Sequence, residues 1–153
     1  MKKIQTTFTI LTASMAGLLL AGLSARAEVW TGTGDGVSYE DPNNWDNPLT
    51  AFPGSTRDIN GAFTVNRNVD VTVNRTFVNG GATLNISSGT HSDGRLGNTI
   101  RNFVGSSGDG TVNQSGGSWN IGHVLAIGGS GNGVYNLSNG ALDVSRGGNT
   151  LAG

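Results

Sequence analysis

No cysteine occurs among the 153 residues, so a chain of this size has to hold together without disulfides. Charged residues make up only 12% and aromatics 7%, which fits neither a charged disordered tail nor an ordinary helical domain. Lysine is missing beyond position 3. No strongly apolar run reaches the ~20 residues that a bilayer crossing needs. Glycine, by contrast, occurs 26 times, and glycine-rich, charge-poor chains are built from turns and strands. The length is one domain's worth of material.

Lys2 and Lys3 precede a weakly polar to apolar run over residues 8–23, and Ala25-Arg26-Ala27 puts small residues at the two positions that a signal peptidase reads. Residues 1–27 are therefore expected to be an export signal cleaved after Ala27. A retained membrane anchor is disfavoured because no basic stop-transfer flank follows. The remaining 126 residues hold six arginines, no lysine and ten acids, a net charge of −4. Nucleic acid and anionic membrane surfaces are unsuited as general partners, because both need a concentrated basic patch.

Three stretches superimpose: Thr83-Leu84-Asn85-Ile86-Ser87-Ser88-Gly89, Thr111-Val112-Asn113-Gln114-Ser115-Gly116-Gly117 and Val134-Tyr135-Asn136-Leu137-Ser138-Asn139-Gly140. Their central asparagines lie 28 and then 23 residues apart, and the second interval also relates Gly105-x-x-Gly108-x-Gly110 to Gly128-x-x-Gly131-x-Gly133. A period of this length marks a solenoid, in which no unit buries its apolar face without a neighbour. Apolar residues within a unit sit two apart, as in Trp119-Asn120-Ile121 and Leu142-Asp143-Val144, which is strand period. Gly or Ser-Gly ends each strand and allows a sharp corner.

The arithmetic gives three short strands and three corners per coil of about 23 residues, with successive coils pairing in parallel at ~4.8 Å. Val112, Ile121 and Ile127 are then expected inside, with Leu84, Val112 and Tyr135 in one inward stack and Asn85, Asn113 and Asn136 in a polar ladder beside it. Gln114 interrupts the inward pattern and needs a partner if buried. The five extra residues of the longer interval are expected to bulge between His91 and Phe103. An antiparallel β-sandwich is the alternative fold. Residues 28–62 read as a non-repetitive cap, and 63–153 as coils that are cut off at the C-terminus.

The run Gly110-Thr111-Val112-Asn113-Gln114-Ser115-Gly116-Gly117, followed by Ile127-Gly128-x-x-Gly131-x-Gly133, resembles the coil pattern of exported bacterial β-solenoids of the autotransporter-associated β-strand repeat and PEP-CTERM-type repeat proteins. Trp30-x-Gly32-x-Gly34-Asp35-Gly36 with Asp41-Pro42-x-Asn44-Trp45 resembles the segment that precedes their first coil. The likeness spans most of residues 28–150. It implies an all-β right-handed parallel β-helix, export to the bacterial cell surface or medium, and a structural or adhesive role without a shared catalytic site. Partners implied are a surface or matrix polysaccharide, further coils of a longer chain, or a second copy meeting the open last edge.

Trp30, Tyr39 and Trp45, near Asp35, Glu40, Asp41 and Asp46, could form a sugar-stacking platform or frame a Ca²⁺ ion; the favoured reading is that they cap the first coil while the acids make turns. His123 and Arg146 fall at matching coil positions, as does Arg95 if the insertion lies after it; the three could meet an anionic polysaccharide as a ridge, although a plain solvated ridge is the favoured reading. His91 and Asp93 are neighbours without a nucleophile elbow, and His91 aligns with Trp119 and Leu142, a packing position. The Gly128–Gly133 run lacks the aspartate of calcium-binding nonapeptides and the Lys-Ser or Lys-Thr of a phosphate loop. No cofactor, metal or catalytic residue is implied.

The expectation is thus a non-enzymatic exported surface protein, with a carbohydrate-binding module or a fragment of a polysaccharide-acting β-helix enzyme as alternatives. Because stacked coils share their stability, Ile127→Asp is expected to destabilise the whole rod, not one coil, by several kcal/mol and so to lower its melting temperature. An unchanged melting curve would remove Ile127 from the interior.

Overall fold

The computed structural model describes residues 27–47, 55–93, 101–144 and 151–152. After β1 (Ala27–Val29) and a short 3-10 helix at Pro42–Asn44, strands arrive in threes. The first set is β2 (Thr56–Asn60), β3 (Thr64–Arg67) and β4 (Val71–Val73). The second is β5 (Arg75–Asn79), β6 (Ala82–Ile86) and β7 (Thr90–Asp93). The third is β8 (Arg101–Val104), β9 (Gly110–Gln114) and β10 (Ser118–Ile121). The fourth is β11 (Val124–Ile127), β12 (Gly133–Leu137) and β13 (Ala141–Asp143), and β14 (Leu151–Ala152) follows.

Each member of a set joins a different sheet. The three sheets run β1-β2-β5-β8-β11-β14, β3-β6-β9-β12 and β4-β7-β10-β13. Every strand pairing among the described residues is parallel. Parallel neighbours need a crossover, and here the crossover from one strand to the next in its sheet runs through the other two sheets. The protein is thus all-β with stacked parallel sheets, an arrangement compatible with a β-solenoid. An antiparallel sandwich is overturned, since hairpin connections would have reversed each neighbouring strand. The stack also starts earlier than residue 63: β2 lies inside the segment read as a cap, yet pairs along its whole length with β5.

Register follows the matched letters. Leu84 stands opposite Val112 and Val112 opposite Tyr135, with Asn85, Asn113 and Asn136 in the adjoining column. Thr64 to Thr83 to Thr111 to Val134 are also partners in turn, steps of 19, 28 and 23 residues. The segment expected to bulge between His91 and Phe103 lies, over 94–100, outside the described residues.

The two-residue period decides which side chains go in. In β6, Ala82, Leu84 and Ile86 are buried while Thr83 and Asn85 face out. Enclosing a side chain such as Leu84 stabilises by roughly 1.5–3 kcal/mol, and Val65, Val112, Val78, Val104 and Ile121 join it in one interior cluster. In β11 the enclosed residue is Leu125; Ile127 points the same way but is only half-buried, so the larger loss on a change to Asp belongs to Leu125.

One corner column explains why glycine is needed. Gly89, Gly117 and Gly140 all have positive φ, at 74°, 64° and 94°. The Gly89 carbonyl accepts from the Ser118 N–H at 2.9 Å, so it cannot swing aside freely. A Cβ on Gly117 would stand 2.3 Å from that carbonyl oxygen. Gly117→Ala is therefore expected to lose roughly 1–3 kcal/mol from backbone conformation and more from the collision. Gly81→Ala also carries a positive φ but meets nothing closer than 3.9 Å, so it should cost less. Urea midpoints of the two variants check that order.

Candidate functional site

The N-terminal segment is organised by one amide. Asn44 is fully buried, and its Oδ1 accepts from the N–H groups of Gly34 and Gly36, both at 2.9 Å. Its Nδ2 donates to Asp35 Oδ1 at 2.7 Å and to the Ser38 carbonyl at 3.0 Å. All four hydrogen-bonding positions of the side chain are thereby used. Asp35 Oδ1 also accepts from the N–H groups of Val37 and Ser38, at 2.9 and 2.8 Å. A hydrogen bond from the Ser38 side chain foremost, and then these bonds, hold the Asp35 carboxyl well below the usual carboxylate range. Asp41 caps the 3-10 helix through the N–H of Asn43 and also takes the N–H of Asp35. The acids make turns, and no cluster of three or more His, Cys, Asp or Glu able to hold a metal is found among the described residues.

Beneath these turns lie the aromatics that the sequence offered as a sugar platform. Trp30, Tyr39 and Trp45 are 2%, 0% and 3% exposed, so they present no ring face to a ligand. They pack edge to face, with Trp30–Trp45 and Tyr39–Trp45 centroids at 5.0 and 5.1 Å. The Trp45 Nε1–H donates to the Tyr39 carbonyl at 2.9 Å. Arg57 lies 4.2 Å over the Trp45 ring and pairs with Glu28 at 2.5 Å, both charges enclosed. Burial of this apolar surface over the first rungs outweighs any gain from leaving the rings in water.

The interior also holds a polar cluster. His91 Nε2 lies 3.1 Å from Thr76 Oγ1 and 2.9 Å from Asp93 Oδ1, and the Trp119 Nε1–H donates to Asp93 Oδ2 at 2.6 Å. The composition suggests a hydroxyl–imidazole–carboxylate relay, but a relay needs one partner on each ring nitrogen. Here both partners share Nε2, while Nδ1 has none within the structure and all four residues are buried. The imidazole instead sits between rings, 6.1 Å from Tyr39 and 5.0 Å from Trp119. Nearby, burial pulls the Arg67 guanidinium below its usual range, with Tyr39 and Asp93 acting the other way. Gln114, the break in the apolar pattern, donates to the Gly117 and Ala141 carbonyls and accepts from the Tyr135 hydroxyl.

Two outer faces remain. On the β3-β6-β9-β12 sheet, Asn85 Nδ2 donates to Asn66 Oδ1, Asn113 to Asn85 and Asn136 to Asn113, at 3.0, 3.0 and 2.9 Å. This amide ladder extends the expected one by Asn66. On the β2-β5-β8-β11 face, Phe77 stands opposite Phe103, with centroids 5.5 Å apart. Arg75 and Arg101 lie two residues before them and so share that face. The Arg75 guanidinium is 5.7 Å from the Phe77 ring centre, and its Nε donates to Thr56 Oγ1 at 3.0 Å.

Of the basic ridge expected from Arg95, His123 and Arg146, one member falls among the described residues. His123 is half-buried in the link between β10 and β11, while Arg95 and Arg146 lie outside the described residues. The Arg/Phe face went unread, although Arg75-Thr76-Phe77-Val78 recurs as Arg101-Asn102-Phe103-Val104. Comparison with protein-family models, curated proteins and solved structures finds no match.

The depressed Asp35 carboxyl gives a pH signature. Its contribution is fully present above the ordinary carboxylate pKa and is lost as pH falls through its lowered folded value. Asp35→Asn is expected to lower the melting temperature at neutral pH, and the gap to the parent should close as the solution is made strongly acidic. A gap that widens on acidification would contradict the hydrogen-bond assignment.

Proposed function

We propose that this protein is an exported, non-enzymatic β-solenoid of a bacterial surface or extracellular matrix, in which stacked coils serve as a stiff structural or adhesive element. The observation that carries the reading is the in-register stack itself. Three parallel sheets share one apolar interior, and an amide ladder runs along the outside from Asn66 to Asn136. A rod of this kind does its work by geometry: identical groups recur at each rung, and stiffness comes from neighbour contacts.

The finer form of the fold belongs to the same proposal. A right-handed winding is favoured because a twisted strand followed by a crossover packs back onto its sheet in that hand. A coil of about 23 residues agrees with the step from β9 to β12, and shorter or longer corners give the other steps. Kinship with the autotransporter-associated and PEP-CTERM-type repeat proteins rests on the Gly-Asn-Ser-Gly coil letters. The enclosed His91 cluster, with both partners on one nitrogen, gives hydrolysis no support.

Export is part of the reading, through cleavage after Ala27. That cut would retain Glu28, whose carboxylate pairs with the enclosed Arg57. No helix among the described residues is long and apolar enough to cross a membrane. N-terminal sequencing of the protein recovered from the medium or the surface fraction of its host is expected to begin at Glu28. Recovery solely of the uncut chain from the cytoplasm would overturn the proposal.

A further inference from the structure

The face carrying Phe77 and Phe103 differs from the rest of the surface. Val78 and Val104, next in sequence, are fully enclosed, which turns the two rings outward; neither ring belongs to the interior cluster or packs against it. Both are half-buried and follow one another along the direction in which rungs repeat, centroids 5.5 Å apart and planes tilted by 41°. Arg75 and the exposed Arg101 flank them on the same face. Val124 and Ala126, the partners of Arg101 and Phe103 on β11, add no charge. Asp58, opposite Phe77, is the one acid among the outward positions of β2, β5, β8 and β11, and its carboxyl is pushed up by burial. In a chain whose exported part has ten acids to six arginines, this is a local reversal of sign.

We infer that this face is a binding site for an acidic polysaccharide, a chain of sugars bearing carboxylates. Guanidinium groups take carboxylates through paired N–H donors, and ring faces take the C–H side of a sugar. Two rings spaced by one rung offer one platform to each of two successive sugars of a chain lying along the rod. Nucleic acid fits poorly: its charges are too dense for two arginines on a chain of net negative charge. The ligand class also gives the adhesive role a target, and rests on that role only for where the polymer is met.

Affinity electrophoresis of the purified chain through gels containing polygalacturonate, poly-L-glutamate or neutral dextran tests the site. Retardation is expected in polygalacturonate, falling as salt is raised, with none in dextran and far less in poly-L-glutamate. Arg75→Gln with Arg101→Gln should weaken it by about ten-fold or more. Phe103→Ser, which keeps both arginines, should also weaken it, and unchanged circular dichroism would establish that the variants are folded. Should a variant unfold, Arg101→Gln alone at its exposed position serves as the second probe. Wild-type mobility that ignores polygalacturonate, equal retardation by poly-L-glutamate, or full retention by the arginine or Phe103 variants would each overturn the inference. A chain found uncut in the cytoplasm would sink the surface role and leave these mobilities unchanged.

Discussion

Register between parallel strands is the constraint on which the rest of the molecule depends. A backbone ladder fixes each residue opposite its counterpart on the next rung, so the choice of side chain at one level restricts the choice above and below. Asn suits an outward column because each amide can give an N–H to one neighbour and take one from the other, as Asn85 and Asn113 do. Gly89, Gly117 and Gly140 form a column for a steric reason, since the corner beneath leaves no room for a Cβ. A slip by one residue would turn Leu84 and Val112 to water and enclose Asn85 and Asn113. That conflict makes the observed register far preferable to its neighbours.

The interior is not wholly apolar. Glu28 and Arg57, Arg67 and Asp93, Thr76, Asn102, His91 and Gln114 are all enclosed. Unpaired, each would cost free energy on desolvation, so most are engaged: Asn102 Oδ1 takes the Thr76 N–H at 2.7 Å, and Asp93 takes both an indole and an imidazole. Among the described residues the enclosed charges are two of each sign, which limits the electrostatic penalty. These groups tie the cap to the coils behind it, because Tyr39, His91, Trp119 and Tyr135 follow one another as a line of rings.

The separation of inside from outside also sorts function from support. Residues that look chemically promising in the sequence, the Trp30–Tyr39–Trp45 group and the His91–Asp93 pair, are used internally. The face proposed to bind is made of Arg75, Phe77, Arg101 and Phe103, whose letters recur 26 residues apart. That recurrence is present in the letters, but the Asn-Ser-Gly columns that set the period mark a different sheet. An Arg-x-Phe-Val string does not say which of its side chains meets water until Val78 and Val104 are seen to be enclosed.

Local pattern alone determined the strand character, the glycine corners, the Leu84–Val112–Tyr135 and Asn85–Asn113–Asn136 columns and the need of Gln114 for a partner. All of these follow from two-residue alternation and from repeats counted along the chain, quantities that need no knowledge of distant segments. Tertiary structure decided which strands share a sheet, that β2 already belongs to the stack, that Leu125 and not Ile127 is sealed in, and that both neighbours of His91 reach the same nitrogen. Those outcomes depend on how three sheets close around a common interior, where a side chain's surroundings come from rungs some 20 to 30 residues away and a one-dimensional pattern carries no record of them.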